Sequence, residues 1–321
     1  MFECFLLSST EKKILKNAHE ALGTLKDRMA GNPTVDSKIA LAAGFLEHYR
    51  NAKEAGRKTG EVETHEFITA RAFDLVGVID GAFRDDVIRH SMDPDRELDL
   101  LAIAAEGHFY GPIDAAGSAY GNYMQRVYLP EVLDKIEAVH DIYENALTNF
   151  QAHYESCSAG PADAATLGIA LHYLQDMTAP HHAGNYALFF SRYTDHFDTH
   201  LAFEKYARQL VNRHPDRFTA DAADLRTGFA QRFDELGPRE FAREINRMIH
   251  PFFPMIKKKD RTAWGDVIDA AIPIAIAASA VVLASALSGA KRTRSAGSGV
   301  KKKTAATRRS GRKTATTTRR R

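Results

Sequence analysis

The sequence has only two cysteines, Cys4 and Cys157, among its 321 residues. Two cysteines cannot form a disulfide framework, and they exclude the cysteine-rich class of structural zinc sites. No segment shows the alternation of apolar and polar residues that marks a half-buried β-strand. The first residues, MFECFLLSSTEKK, lack a basic start, and their apolar run is interrupted by Glu3. We therefore expect no cleavable signal peptide.

Apolar residues recur at spacings of three and four along most of the chain, which predicts an all-α fold. The segments concerned are Ile14–Met29, Ser37–Ala55, Glu66–Ile79, Leu129–Phe150, Ala164–Gln175 and Ala202–Val211. A hydrophobic content of 44% is enough to bury a full core.

Residues 270–290 carry no charge and are long enough to cross a bilayer. We predict an apolar helix at residues 268–290 as a candidate transmembrane segment, with a buried alanine-rich helix or a partner-binding helix as the alternatives. The basic residues Lys291, Arg292 and Arg294 follow directly, as basic flanks follow a membrane span at the cytoplasmic face.

The segment 291–321 contains 13 Lys and Arg residues and no Asp or Glu. Its low complexity predicts a basic disordered tail. Such a tail can bind anionic lipid or nucleic acid through phosphate charge, or it can act without a fixed partner. The first 290 residues are acidic, since 30 basic residues face 41 acidic ones.

Two pairs of polar residues at helical spacing stand in HYLQDMTAPHH and HLAFE. His172 and Asp176 form one pair, His200 and Glu204 the other, and each pair shares one helix face. With His182 the stretch holds five candidate ligands, and imidazole nitrogen with carboxylate oxygen is a donor set that zinc binds well. An ordinary hydrogen-bonding pair explains either pair taken alone.

Three further candidates lie upstream: His65 in THEFIT, Asp95 in SMDPD and His108 in GHFYGP. In the order THEFIT, PD, GHFYGP, LHYLQDMTAPHHAGN and HLAFE, the sequence resembles the zinc-dependent phospholipase C family and the superfamily that it shares with single-strand nucleases. The HxxxDxxxPxH spacing is met from His172 to His182. The HxxxE ending, from His200 to Glu204, favours the phospholipase branch.

The resemblance implies a multi-helix bundle with a metal centre in a cleft, at residues 61–260, behind a helical N-terminal extension at residues 1–60. By motif position, one zinc would be held by Asp95, His108, His172 and Asp176, and a second by His182, His200 and Glu204. His181 and His196 would be neighbours rather than ligands.

This sequence lacks part of the third zinc site that the family has. That site uses the residues matching His65 and Asp176 together with the amino terminus of an N-terminal tryptophan, whereas the only tryptophan here is Trp264 and sixty-four residues precede His65. We therefore expect two zinc ions, with the third left open to another ligand or to a terminus freed by cleavage.

The resemblance implies hydrolysis of glycerophospholipids to diacylglycerol and a phosphorylated head group by metal-activated water. Asp95 is the candidate to accept the proton of that water. Arg96 stands where choline-cleaving relatives have a tyrosine, and its guanidinium predicts contact with phosphate or an anionic head group instead of choline.

Two other functions compete with the phospholipase hypothesis. One is a single-strand nuclease or nucleotidase of the same superfamily, and the other is a non-catalytic membrane-interaction protein with a degenerate site. A phospholipid membrane is the predicted partner. Residues 1–60 would add a helical layer or serve delivery or inhibition, and export as an effector by a dedicated secretion machine would reconcile the missing signal peptide with action on a membrane.

Overall fold

The computed structural model describes residues 60–77, 81–96, 107–111, 145–160, 162–184 and 194–306. These residues are 82% helical and contain no strand, which confirms the all-α prediction. The helices are α1 (Thr64–Val76), α2 (Gly81–His90), α3 (Asp93–Arg96), α4 (Ala146–Ser158), α5 (Ala164–Asp176), α6 (Pro180–Ala183), α7 (Thr194–Arg213), α8 (Thr219–Ile249), α9 (Phe253–Ile256) and α10 (Arg261–Ala306). A short 3-10 turn, His250–Phe252, joins α8 to α9. The extension at residues 1–59 and the end of the tail at 307–321 lie outside the described residues.

Polar residues fix the starts of α1 and α5, two of the helices that carry candidate ligands. At the start of α1, the Glu63 backbone N–H donates to the Glu66 carboxylate over 3.1 Å. At the start of α5, the Asp163 carboxylate accepts from the Thr166 backbone N–H over 2.9 Å. These caps satisfy amide groups that a helix terminus leaves without partners, and so define where each helix begins.

The centre of the bundle is α10, which packs against α1, α4, α5 and α8. Its residues from 271 to 283 are all buried, including Ile272, Ile276 and Val282. A helix that is apolar on every side must be covered on every side, by protein or by lipid. Here protein covers it.

The stretch Arg261–Ser288 is long and apolar enough to cross a membrane, and 78% of its most hydropathic window is buried inside the protein. This is the arrangement expected of the alternative interpretation, a buried alanine-rich helix. The helix begins at Arg261, ahead of the predicted start at residue 268, and it shares a core with residues 64–256.

The helix also continues to Ala306, past the end of the apolar segment at residue 290. The basic disordered tail at residues 291–321 stays a prediction. Alanine, lysine and arginine are good helix formers, and extending an existing helix avoids the cost of nucleating a new one.

Gly168 lets α5 approach α2 closely. A Cβ atom at residue 168 would lie 2.7 Å from both the Val87 carbonyl oxygen and the His90 Cβ. Any larger residue must push the two helices apart.

We expect Gly168→Ala to lower the free energy of unfolding by about 1–3 kcal/mol, as overpacking of a tight core does. The matched control is Gly228→Ala on the exposed face of α8, where a new Cβ meets nothing within 4 Å. That change should raise stability by about 0.5–1 kcal/mol, because alanine loses less backbone entropy than glycine in a helix. Urea unfolding of the two variants measures both effects, and equal midpoints would contradict the close approach.

Candidate metal centre

His172 and Asp176 lie one turn apart on the buried face of α5, as their spacing predicts. His172 Nε2 is 3.1 Å from Asp176 Oδ2. The other ring nitrogen, Nδ1, is 2.8 Å from the Ser91 carbonyl oxygen. A carbonyl can only accept, so Nδ1 carries a proton, and Nε2 is the ring nitrogen that faces Asp176. Metal-binding histidines are oriented in the same way, by donation from the ring nitrogen that does not bind the metal.

Asp95 and His108 approach the same point from two other segments. His108 Nδ1 lies 3.0 Å from His172 Nε2 and 2.8 Å from Asp176 Oδ2. Asp95 Oδ1 lies 3.9 Å from His172 Nε2. Asp95, His108 and His172 each offer one ligand atom, and these atoms lie within 4.8 Å of one another. We call these three residues with Asp176 the first group.

His65, near the start of α1, also lies close to Asp176. Its Nε2 is 3.5 Å from Asp176 Oδ1, and His65, His172 and Asp176 also have ligand atoms within 4.8 Å of one another. His65 Nδ1 contacts the side-chain oxygen of Gln175 over 2.8 Å. The Gln175 amide nitrogen in turn donates to Thr69 Oγ1 and Ser279 Oγ. Gln175 therefore ties the ring of His65 to the central helix α10.

A second group forms where α6 meets α7. Its members are His181, His182, His200 and Glu204, whose ligand atoms lie within 4.8 Å of one another. Glu204 Oε1 is 2.8 Å from His200 Nε2, 3.5 Å from His181 Nε2 and 3.8 Å from His182 Nε2.

The two groups are adjacent. His182 Nδ1 donates to the His108 carbonyl oxygen over 2.7 Å and lies 3.5 Å from Asp176 Oδ1. His182 therefore presents its Nε2 to the second group while its other edge contacts the first. Asp176, which is within 3.5 Å of ring nitrogens of His65, His108, His172 and His182, stands between them.

Burial and neighbouring charges shift the pKa values of the first group in opposite directions. Burial alone would raise the pKa of Asp176, but the surrounding histidines His172, His182 and His108 hold that pKa well below its ordinary value. Burial likewise would lower the pKa of His172, yet the carboxylates of Asp176 and Asp95 raise it. The site therefore keeps Asp176 ionised and attracts positive charge, whether a proton or a cation.

The pKa of His181 is lowered, whereas that of His172 is raised. Burial lowers the pKa of the His181 imidazole, and His200 and His182 lower it further, well below the ordinary value. Neither ring nitrogen has a hydrogen-bond partner among the described residues. An unsatisfied buried polar group costs about 1–3 kcal/mol. A neutral, buried imidazole with an open lone pair is the form that binds a divalent metal.

The donor set fits zinc. All the candidate ligand atoms are imidazole nitrogens and carboxylate oxygens, and the rings of His172 and His182 are held by donation to backbone carbonyls. Zinc binds such atoms, and it commonly takes histidines that are oriented in this way.

A cleft opens onto both groups. Its polar lining includes His65, Asp95 and Asp176 on one side and His181, His182 and Glu204 on the other. Its apolar lining is contributed by Ile68, Met92, Ala179, Pro180, Leu201, Phe203, Ala207, Ile268, Ala271 and Ile272. Part of that apolar wall belongs to α10, so the central helix shapes the cleft as well as filling the core.

All eight predicted metal ligands lie within these two groups or beside them. Their assignment to particular ions stays a prediction. Arg96 is not among the cleft-lining residues of the described part. Its guanidinium lies 3.3 Å from Glu66 Oε1 and 3.6 Å from Asp93 Oδ1, and it donates to the Arg89 carbonyl oxygen. Its role in substrate binding likewise stays a prediction.

Two residues of the site were not predicted from the sequence. His181 was assigned as a neighbour because the resemblance gives the ligand role to His182 alone. Gln175 was not singled out, although it directly precedes Asp176 and its side chain is buried. A polar residue inside the apolar run of α5 was the available signal for it, since a buried amide needs partners.

A family model described as zinc dependent phospholipase C matches residues 64–251, which is more than half of the chain. The matched range begins at the first residue of α1 and contains every predicted ligand. It ends before α10. No curated protein and no solved structure shows a significant match to the chain.

Proposed function

The chain belongs to the zinc-dependent phospholipase C family, and from that membership we propose that it cleaves glycerophospholipids to diacylglycerol and a phosphorylated head group. The observation that carries the proposal is the convergence of Asp95, His108, His172 and Asp176 beside a second group of three histidines and one glutamate. Paired sites of this composition suit the hydrolysis of phosphate diesters.

We assign the first group and His182, His200 and Glu204 to two zinc ions. Bound zinc supplies Lewis-acid chemistry, because it offsets charge on the phosphate oxygens and lowers the pKa of a water molecule. His65, with Asp176, offers two ligands to a third ion.

The protein's own contribution to catalysis begins with Asp95. Its side chain is 11% exposed and lines the cleft, so a carboxylate oxygen is accessible to a water molecule there. We assign Asp95 the role of accepting the proton of the attacking water. His172 and His182 are held rigid by the Ser91 and His108 carbonyls, which fixes the groups around the reacting phosphate.

The apolar wall of the cleft favours a lipid over a nucleic acid. Ile268, Ala271 and Ile272 of α10 line the cleft together with Leu201 and Phe203 of α7. Hydrocarbon next to the scissile phosphate would bury apolar area there, whereas single-stranded nucleic acid is bound by basic grooves with aromatic stacking.

The test compares zinc-loaded wild-type protein with His172→Ala and with His214→Gln, whose residue is exposed and outside both groups. Substrates are vesicles of phosphatidylcholine, phosphatidylethanolamine or phosphatidylglycerol, and single-stranded DNA. We expect wild type and His214→Gln to release phosphorylated head groups, with choline lipid not preferred, and His172→Ala to lose that activity. DNA cleavage without lipid cleavage would establish the nuclease alternative, and no activity on either substrate would establish the non-catalytic one.

A further inference from the structure

We propose that His181 is a fourth protein ligand of the second group, which makes that group a closed site. The proposal rests on the zinc binding assigned under the proposed function and goes beyond it, because the family resemblance gives this ion only His182, His200 and Glu204. Four protein ligands are typical of structural zinc, whereas catalytic zinc keeps one position for water or substrate.

The Nε2 atom of His181 lies as close to the Glu204 carboxylate as a shared zinc ion requires. Zinc bonds to nitrogen and oxygen are about 2.0–2.2 Å long, so the edges of a zinc tetrahedron measure about 3.3–3.6 Å. From Glu204 Oε1 the three histidine Nε2 atoms lie at 2.8, 3.5 and 3.8 Å, and His181 provides the value of 3.5 Å. His181 Nε2 therefore lies within the range of distances from the shared carboxylate that the two assigned histidines span, farther than His200 Nε2 and nearer than His182 Nε2.

The His181 ring meets both neighbouring histidine rings edge to face. Its centroid lies 4.2 Å from that of His200 and 4.4 Å from that of His182, with interplanar angles of 80° and 81°. The rings of His182 and His200 are tilted by 46°, with centroids 5.3 Å apart. No pair stacks, and one ligand atom of each ring lies within 4.8 Å of those of the other two and of Glu204.

The His181 side chain is buried, with both ring nitrogens unsatisfied within the described part of the chain. It is 3% exposed, it lies against Phe203, and neither of its nitrogens has a hydrogen-bond partner among the described residues. Buried polar atoms in native proteins are normally satisfied. A cation shared with Glu204 would satisfy Nε2, which lies 3.5 Å from the Glu204 carboxylate.

A fourth ligand makes the second group equal to the first in its number of side chains. The first group offers Asp95, His108, His172 and Asp176, of which Asp95 is accessible from the cleft. The second group would hold α6 and α7 together through one ion.

The experiment uses the full chain as wild type, His181→Phe and the exposed control His214→Gln. Phenylalanine keeps a flat ring among Phe203 and the other histidines but removes both nitrogens. Zinc affinity is measured by chelator competition, the ligand field by the visible spectrum of the Co²⁺-loaded protein, and folding by the thermal midpoint with and without zinc. We expect one zinc to bind at least about tenfold more weakly in His181→Phe, its Co²⁺ bands to shift, and its zinc-induced rise in midpoint to shrink.

The metal-free midpoint separates a ligand from a packing residue. If His181 is a ligand, the metal-free His181→Phe protein is at least as stable as metal-free wild type, because an unsatisfied buried imidazole has been replaced by an apolar ring. A metal-free variant that is less stable or unfolded would overturn the proposal, as would zinc affinity and Co²⁺ bands equal to those of His214→Gln. Wild type that binds no zinc would instead overturn the proposed function itself.

Discussion

Asp176→Asn is expected to abolish both tight zinc binding at the first group and lipid hydrolysis. Asp176 is fully buried, and its two oxygens lie within 3.5 Å of ring nitrogens of His65, His108, His172 and His182. Asparagine has the same shape but no charge, and its amide N–H₂ faces nitrogens that need an acceptor or a metal. Removal of an outer partner of a metal site lowers metal affinity or activity by up to about 100-fold, so loss of a proposed ligand should have a larger effect.

The measurement is zinc content after dialysis together with head-group release from vesicles. The control is Asp266→Asn, the same chemical change at an exposed position of α10. Asp266→Asn should retain wild-type zinc and activity. An Asp176→Asn protein that retains its full zinc content and more than a tenth of the activity would show that the carboxylate is not a ligand.

Acid should lower the free energy of unfolding of metal-free wild type more than that of metal-free Asp176→Asn. The pKa of Asp176 lies below its ordinary value in the folded protein, so the ionised carboxylate stabilises the fold above that ordinary value. This contribution is lost as the pH falls through the folded pKa. Asp176→Asn lacks the carboxylate, and its free energy of unfolding should therefore fall less steeply with acid.

Removal of α10 is expected to unfold the protein. Eight buried valine, isoleucine and leucine side chains lie between Val267 and Leu283. Burial of a side chain of this size contributes about 1.5–3 kcal/mol, or roughly 12–24 kcal/mol in total. A typical domain is stable by only roughly 5–15 kcal/mol. A chain ending at residue 260 should give no cooperative thermal transition in circular dichroism.

A point change tests the same helix without shortening the chain. Ala278→Asp places a carboxylate at a position with 0% exposure, whereas Ser288→Asp places the same charge at an exposed position of α10. We expect the first to unfold or strongly destabilise the protein and the second to leave its thermal midpoint nearly unchanged. A membrane anchor gives the opposite outcome: the truncated chain would stay folded and Ala278→Asp would affect only partition into vesicles.

Local patterns predicted the parts of the site that depend on a single helix. His172 and Asp176 share a face because the helix repeats in that way, and the same spacing predicted His200 and Glu204. The meeting of these pairs with His65 and His108 could not be derived from spacing, since it depends on how α1, α5 and α7 pack. For those residues the family resemblance supplied the prediction.

The role of α10 shows why composition alone was insufficient. A run of alanine, isoleucine and valine satisfies the requirements of a bilayer and of a protein core equally well, because both exclude water. What distinguishes them is the presence of partner surfaces, such as the faces of α1 and α8, which only the tertiary structure reveals. His181 was not predicted for a related reason. It lies on α6 and His200 lies on α7, so no helical repeat relates the two residues.

The position of the central helix at the end of the described chain also determines the order in which the protein is assembled during its synthesis. The last predicted ligand, Glu204, leaves the ribosome well before Leu283, and at about 5–20 residues per second the delay is roughly 4–16 s. During that interval the ligand-bearing helices lack the surface on which they pack. Zinc capture is therefore expected to follow translation of the helix, and the nascent chain should need protection of its apolar faces until then.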